Sequence, residues 1–340
     1  MSGKRVLVIG STGAMGHYVT KYLLEMGHYV TGVALDDQRI QSDRLTHIKA
    51  NARDLEFLRP LVEQKFDGIV DFMSYPPDAK RFFTDYYKLY LDNTDHYIFL
   101  SSCRVYADEE VPVRETSPRL LDVSKDEALL ASNDYCMHKA RAEDLLWASG
   151  YKNFSIVRPA TVLSDKMFKL VTLEATNTIG RARKGKKVVL PIEAQDKPAT
   201  LSWAGDVSRM IAGVLFKEEA MGEAYNVCSA ESQTWGQIAE YYKEFCGVEI
   251  VWIPKEDYLK IVSKDGIVEP GARWQLEYAR LFHRITDNSK VLKVAGLKQE
   301  DCMPLYDALK MTVDAFPEDY VFADNAVDER MDAYLAEKGL

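Results

Sequence analysis

The 340-residue chain has five cysteines, Cys103, Cys136, Cys228, Cys246 and Cys302, and no two of them form a CxxC pair. That spacing suggests neither a zinc site nor a disulfide framework, and an odd, scattered set reads most simply as thiols in a reducing, cytoplasmic compartment. No metal site is expected. Positive charge is also short: 43 Lys and Arg against 52 Asp and Glu leave a formal net charge of −9, whereas a nucleic-acid footprint is normally basic. No apolar run is long enough to span a bilayer. Met1 leads straight into "KRVLVIG" without the layout of a signal peptide. Internal repeats and low-complexity linkers are absent too. The expected partner is therefore a small molecule, not a membrane or a nucleic acid. What is present is 47% hydrophobic and 28% charged residues, the mix of a globular chain able to bury a substantial core.

"RVLVIG" (residues 5–10) is a short, β-branched apolar run, which predicts a buried parallel strand. "STGAMG" follows, and then Val19, Tyr22, Leu23 and Met26 recur at helical spacing. Gly10, Gly13 and Gly16 thus form a GxxGxxG turn between a strand and a helix. Such glycines let the backbone turn tightly and approach a pyrophosphate, with the helix N-terminus behind it. A dinucleotide site is expected over Gly10, Ser11, Thr12, Gly13, Ala14, Met15 and Gly16; the bland alternative is a tight turn with no ligand.

The alternation continues. "YVTGVAL", "THIKA", "FDGIVDFMS" and "HYIFLSS" read as strands, and "LEFLRPLVEQ" and "AKRFFTDYYKLYLDN" as helices. This order predicts an α/β fold with a doubly wound parallel sheet. Ligands of such sheets lie beyond the carboxyl ends of the strands, where Asn51 and Ala52, Phe72 to Ser74, and Ser101 to Cys103 fall.

Tyr135 and Lys139, in "YCMHK", stand four residues apart on one helical face. Alone they could be an ordinary amphipathic stripe. Together with the glycine turn, "SSCRVYAD" and "IVRPATVL", they resemble the extended branch of the short-chain dehydrogenase/reductase family. "VDFMSYPPDAKRFF" and "SSCRVYADEE" look closest to its NAD-dependent epimerase/dehydratase subgroup, which is also similar to chloroplast stem-loop RNA-binding proteins. Similarity continues through "LSWAGDVSRMIAGVL", "GEAYNVCSAESQTWGQIAE" and "DNSKVLKVAGL", so it covers nearly the whole chain.

The resemblance implies a Rossmann-type domain over residues 1–164, with segments around 200–230 returning to it. A smaller, interleaved substrate lobe and C-terminal helices would occupy 165–340. It implies NAD as cofactor, with Arg158 and Pro159 joining the cofactor residues, and Ser102, Tyr135 and Lys139 as the catalytic set. A free tyrosine titrates at about 10, too high for a neutral-pH base. A neighbouring ammonium stabilises phenolate, so Lys139 is expected to lower that value and to hold the nicotinamide ribose. Ser102 would hydrogen-bond the reacting oxygen. A homodimer is expected through the helices holding Phe82 to Leu91 and Tyr135 to Trp147.

Several positions depart from the family pattern. The ribose-gripping acid at the end of the second strand is replaced by Ala34, with Asp36 and Asp37 two residues late. The nearest basic residue is Arg39, which favours NAD, with NADP left open. Asn51 stands where an adenine-contacting acid is usual. Cys103 and Arg104 occupy the places of the dehydratases' acid pair, so elimination of water is discounted. Cys103 reads as a small buried hydrophobe more than as a nucleophile. Ser102, Cys103, Arg104 and Arg273 are the substrate-side candidates, although Arg273, Arg280 and Arg284 only surround the usual place of a diphosphate-binding arginine. "RARKGKK" (residues 181–187) reads as a solvated helix end before a diphosphate site.

These residues lead to an NAD-dependent sugar-nucleotide epimerase or oxidoreductase. Two alternatives stand: a ketone or keto-sugar reductase needing no nucleotide handle, and an RNA-binding protein on the same fold.

Overall fold

Val6, Leu7, Val8 and Ile9 are completely buried, as a central strand covered on both faces requires. They form β1 (Arg5–Ile9). The computed structural model describes residues 3–75 and 83–340. The chain divides into two compact units, Met1–Ala160 with Trp203–Ser229 and Thr286–Cys302, and Thr161–Ser202 with Ala230–Ile285 and Met303–Leu340.

The first unit holds β1, β2 (Tyr29–Ala34), β3 (Leu45–Lys49), β4 (Phe66–Asp71), β5 (Thr94–Leu100), β6 (Phe154–Pro159) and β10 (Glu223–Val227). They hydrogen-bond in the order β10-β6-β5-β4-β1-β2-β3, and every pairing is parallel. This is the doubly wound order, Rossmann-type, with its reversal between β1 and β4. The expected fold class is the observed one. α1 (Ala14–Glu25), α2 (Leu55–Val62) and the longer α6 (Tyr135–Ala148) come from this unit, as do the short α3 (Tyr87–Leu91), α4 (Leu120–Val123) and α5 (Glu127–Ala131). α8 (Ala204–Val214) and α12 (Ser289–Ala295) complete it. α8 packs on α1, where Ser208 Oγ donates to the Met15 carbonyl at 2.9 Å.

One expectation fails locally. The single helix over residues 79–93 is replaced, among the described residues, by a 3-10 turn at Phe83–Asp85 and the five residues of α3; Ala79 to Phe82 lie outside the described residues. Packing overrides periodicity here. Phe83, Tyr86 and Tyr90 are buried, and the rings of Phe83 and Tyr86 lie 5.4 Å and 4.8 Å from that of Tyr75. Aromatic side chains that read as a face for a second subunit are spent inside this unit.

The second unit contains β7 (Thr161–Leu163), β9 (Pro198–Trp203) and β11 (Ser232–Thr234) in the order β11-β9-β7, and β8 (Val188–Pro191) paired with β12 (Ile250–Ile253). Its helices are α7 (Ile179–Ala182), α9 (Trp235–Cys246), α10 (Lys255–Val262), α11 (Pro270–Gln275), α13 (Leu305–Asp314) and α14 (Ala326–Lys338). The basic run 181–187 lies at the end of α7, as expected, with Arg183, Lys184 and Lys187 exposed, but its first residue is not solvated. Arg181 is 1% exposed and binds Asp332 at 2.6 Å and the Asp328 carbonyl at 3.1 Å. Lys186 meets Asp332, and Arg183 donates to the carbonyls of Phe316, Pro317 and Tyr320. The run clamps the C-terminal segment and α14, whose Met331 and Leu335 are buried.

Candidate active site

The reversal between β1 and β4 brings the expected cofactor residues of the first unit to one end of the sheet. Gly10 takes φ +82°, a left-handed value glycine adopts without strain. A methyl at Gly16 would stand 2.0 Å from the Gly10 carbonyl oxygen, so the turn closes only with glycine there. Gly13 is the N-cap of α1; no side chain caps this helix end and no acid occupies its first turn. An uncapped helix N-terminus behind a turn with glycines at positions 10, 13 and 16 fits a pyrophosphate.

Phe72, Met73 and Ser74 follow β4, and the Phe72 N–H donates to the Ile9 carbonyl at 3.0 Å. Asn51 and Ala52 follow β3; Asn51 Oδ1 accepts from the Arg53 N–H, and Ala52 is buried. After β2, Asp37 is paired with Lys49 at 2.9 Å, while Asp36 is exposed and bonds His47 through its carbonyl oxygen.

Ser102, Tyr135 and Lys139 meet at the carboxyl end of β5. Asp134 caps α6, its Oδ1 accepting from the Cys136 N–H at 3.1 Å, and so sets Tyr135 as the first helical residue. Ser102 Oγ accepts from the Arg104 N–H at 3.2 Å, and the Ser102 hydroxyl is near enough to Tyr135 to favour its phenolate form. Lys139 is 2% exposed, with Nζ donating to the carbonyls of Leu100 at 2.5 Å and Met73 at 3.4 Å. Its Nζ lies 5.0 Å from the Phe99 ring centroid and 5.9 Å from that of Tyr135.

Electrostatics here differ from the expectation. Burial pushes the Tyr135 phenol up, while the nearby Ser102 hydroxyl and the Arg104 charge oppose that rise. Burial likewise pushes Lys139 down to about 8, against the pull of Asp71 and Glu143. The ammonium faces strand-end carbonyls, and the guanidinium of Arg104, 5.3 Å above the Tyr135 ring, is the cation that favours the phenolate.

Beneath Lys139 lies a carboxylate that sequence reading passed over. Asp71, 1% exposed, accepts from Tyr75 Oη at 2.7 Å, Tyr97 Oη at 2.8 Å and the Met73 N–H at 2.9 Å. Burial raises its carboxyl, and those donors and the Lys139 charge hold it back. An acid ending the apolar strand "FDGIVD" was the available signal.

The remaining candidates have the following partners. The Arg158 side chain is not on a cofactor surface: it is 1% exposed and donates to Glu143 through Nε and Nη2 at 2.8 Å and to Tyr106 Oη at 2.7 Å. A buried guanidinium must be paired and hydrogen-bonded, and Glu143, completely buried, meets that need. Pro159 ends the buried strand β6. Cys103 is buried, its thiol donating to the Arg158 carbonyl at 3.1 Å, so it faces the core and not a substrate. Arg104 forms an ion pair with Asp134 at 3.1 Å. Arg273, in the second unit, is held by Glu256 at 2.7 Å and Glu277 at 3.1 Å.

Turn, sheet order and strand-end residues together define a Rossmann-type dinucleotide-binding fold. Residues 6–228 match the NAD dependent epimerase/dehydratase family, and the chain belongs to that family. It is an enzyme of the NAD-dependent epimerase/dehydratase type. Among curated proteins, none matches the chain by sequence.

Solved structures of the same fold include an epimerase from Methanothermobacter thermautotrophicus, 17% identical, covering 94% of each chain with a TM-score of 0.66. The UDP-glucose 4-epimerase of Thermotoga maritima, solved with UDP-glucose, is 19% identical over 92% of this chain and 98% of its own, TM-score 0.64. The UDP-glucuronic acid 4-epimerase of Bacillus cereus, solved with UDP-glucuronic acid and NAD, is 16% identical over the same shares, TM-score 0.64. At these identities the likeness concerns the fold. No helix among the described residues is long and apolar enough to cross a membrane.

Proposed function

We propose that the chain is an NAD-dependent sugar-nucleotide epimerase with Tyr135 as its acid and base. The observation that carries this reading is the convergence of Ser102, Tyr135 and Lys139 at the end of β5, within the unit that holds the glycine turn. In this reading the turn from Gly10 to Gly16 holds the pyrophosphate, and Asp36 meets the adenosine ribose. Bound NAD supplies a hydride acceptor and donor for the sugar carbon. Tyr135 takes the proton of the attached hydroxyl as that carbon is oxidised and returns it when the carbon is reduced. Ser102, beside the phenol, orients the reacting oxygen. Lys139 turns from its carbonyl partners toward the cofactor ribose. The substrate class is supported by the UDP-sugars in two enzymes of the same fold.

A panel of UDP-, GDP-, CDP- and dTDP-sugars, followed for epimers and for NADH absorbance, tests the class. Tyr135→Phe keeps the ring and removes the proton carrier, so turnover should fall by about 10²- to 10⁴-fold while NAD binding persists. Parental turnover in that variant overturns the assignment. One observation favours a second reading, a ketone or keto-sugar reductase without a nucleotide handle: Arg273 is committed to Glu256 and Glu277. Net consumption of NADH on simple keto-sugars, with no epimer from any nucleotide sugar, selects it.

A further inference from the structure

Arg104 has no part in the catalytic set proposed above, yet it is the charged group set over the ring of that set's central residue. Its guanidinium carbon lies 5.3 Å from the Tyr135 ring centroid. It is fixed there from two sides. Its backbone N–H donates to Ser102 Oγ, and its Nη2 pairs with Asp134, the residue that caps α6. The side chain is 18% exposed, so the contact is shielded from bulk water. Its Nε is buried with no partner among the described residues.

A cation over an aromatic face is attracted by the ring, and more strongly once the ring carries phenolate charge. Among the described residues one other cation, Lys139, faces this ring, and from farther away. Ser102 carries no charge. His138 meets the ring edge-on at 5.4 Å and is neutral near pH 7, since burial pushes it down to about 4. Lys139 is 5.9 Å from the centroid and donates to Leu100 and Met73. Asp134 stands beyond the guanidinium, paired with it. A guanidinium also keeps its charge at every working pH, whereas Lys139 loses its own as pH passes about 8.

We propose that Arg104, anchored by Asp134 against the face of Tyr135, is a positioning residue that stabilises the phenolate form of Tyr135. The proposal rests on the reading of Tyr135 as acid and base. It gives Arg104, read from the sequence as a candidate for a substrate anion or for pairing with an acid, a role in support of the base.

The test reads Tyr135 itself and needs no substrate. In protein carrying tyrosine labelled with 13C at Cζ, the Tyr135 resonance is the one missing from Tyr135→Phe, and its shift reports ionisation as pH rises. In Arg104→Met the titration should move to higher pH. At a fixed pH below the midpoint the phenolate fraction should fall about fivefold, the loss of a shielded cation–π contact of about 1 kcal/mol. Arg104→Lys should restore part of the shift, and Arg104→Gln gives the same measurement should the methionine variant not fold. Where a substrate is in hand, the acidic limb of the rate profile should move upward in Arg104→Gln. An unchanged Tyr135 titration in Arg104→Met or Arg104→Gln overturns the proposal. Full turnover in Tyr135→Phe would instead overturn the catalytic reading while leaving the titration result standing, so the two failures are told apart.

Discussion

Side chains introduced at Gly13 and at Gly16 should do different damage, although both glycines belong to one turn. At Gly13 a Cβ would meet only the Gly10 carbonyl oxygen, at 3.2 Å, and the backbone there is extended, φ −68° and ψ 174°, which valine accepts. The fold should lose little more than a good helix N-cap, about 1 kcal/mol. The side chain would stand over the helix N-terminus, where the pyrophosphate is expected. Losing two charge-assisted hydrogen bonds, at roughly 1.5–3 kcal/mol each, weakens NAD at least about a hundredfold.

At Gly16 a methyl would lie 2.0 Å from the Gly10 oxygen and 2.8 Å from its carbonyl carbon. No rotamer relieves that overlap, so α1 must move away from the end of β1. The cost should be about 1–3 kcal/mol, as for other overpacked sites. Calorimetric NAD titration and urea unfolding of Gly13→Val and Gly16→Ala separate the two effects. Gly13→Val should unfold almost like the parent and fail to bind NAD; Gly16→Ala should unfold at lower urea. Parental NAD affinity in Gly13→Val would refute the placement of the cofactor.

Two further predictions concern titration. If Lys139 holds the cofactor ribose through its charge, NAD affinity should decline as pH rises through about 8, and Lys139→Met should bind weakly without that step; calorimetry across the alkaline range decides, and a step that survives in the variant assigns it elsewhere. His96 is locked neutral, with Nδ1 accepting from the Phe216 N–H at 2.8 Å and Nε2 bonded to Ser155 Oγ at 2.9 Å. Burial pushes it from 6.5 to about 4. The unfolded chain therefore takes up this proton first, and stability should fall as pH drops through that window, by up to about 3 kcal/mol from this residue. Urea unfolding of His96→Asn at several pH values should show a flatter dependence; an equal slope would mean other groups carry it.

Much of the first unit could be read from the chain alone. β1, β4 and β5 are short apolar runs bounded by glycine, acid and hydroxyl in turn, and strands buried on both faces need that continuous apolar pattern. The glycine turn was legible because a φ of +82° at Gly10 and a 2.0 Å overlap at Gly16 leave few other residues able to stand there. Tyr135 and Lys139 share a helix face through their spacing, which is a local property of the chain.

What the chain could not state is which partner a charged group chooses, because partners distant in sequence are set by packing. Arg158 pairs with Glu143 inside the core, and Asp71 is caged by Tyr75 and Tyr97 beneath Lys139. The aromatic stretch 83–91 reads as a helix face for a second subunit, yet its rings fill the first unit's interior, since buried apolar area outweighs helical periodicity. The charge on Tyr135 was expected from Lys139, one turn along the same helix. Only the tertiary structure turns that ammonium toward the carbonyls of Leu100 and Met73 and brings Arg104, 31 positions earlier in the chain, over the ring. Sequence spacing places side chains on an element, and desolvation and pairing across elements then decide which of them meet.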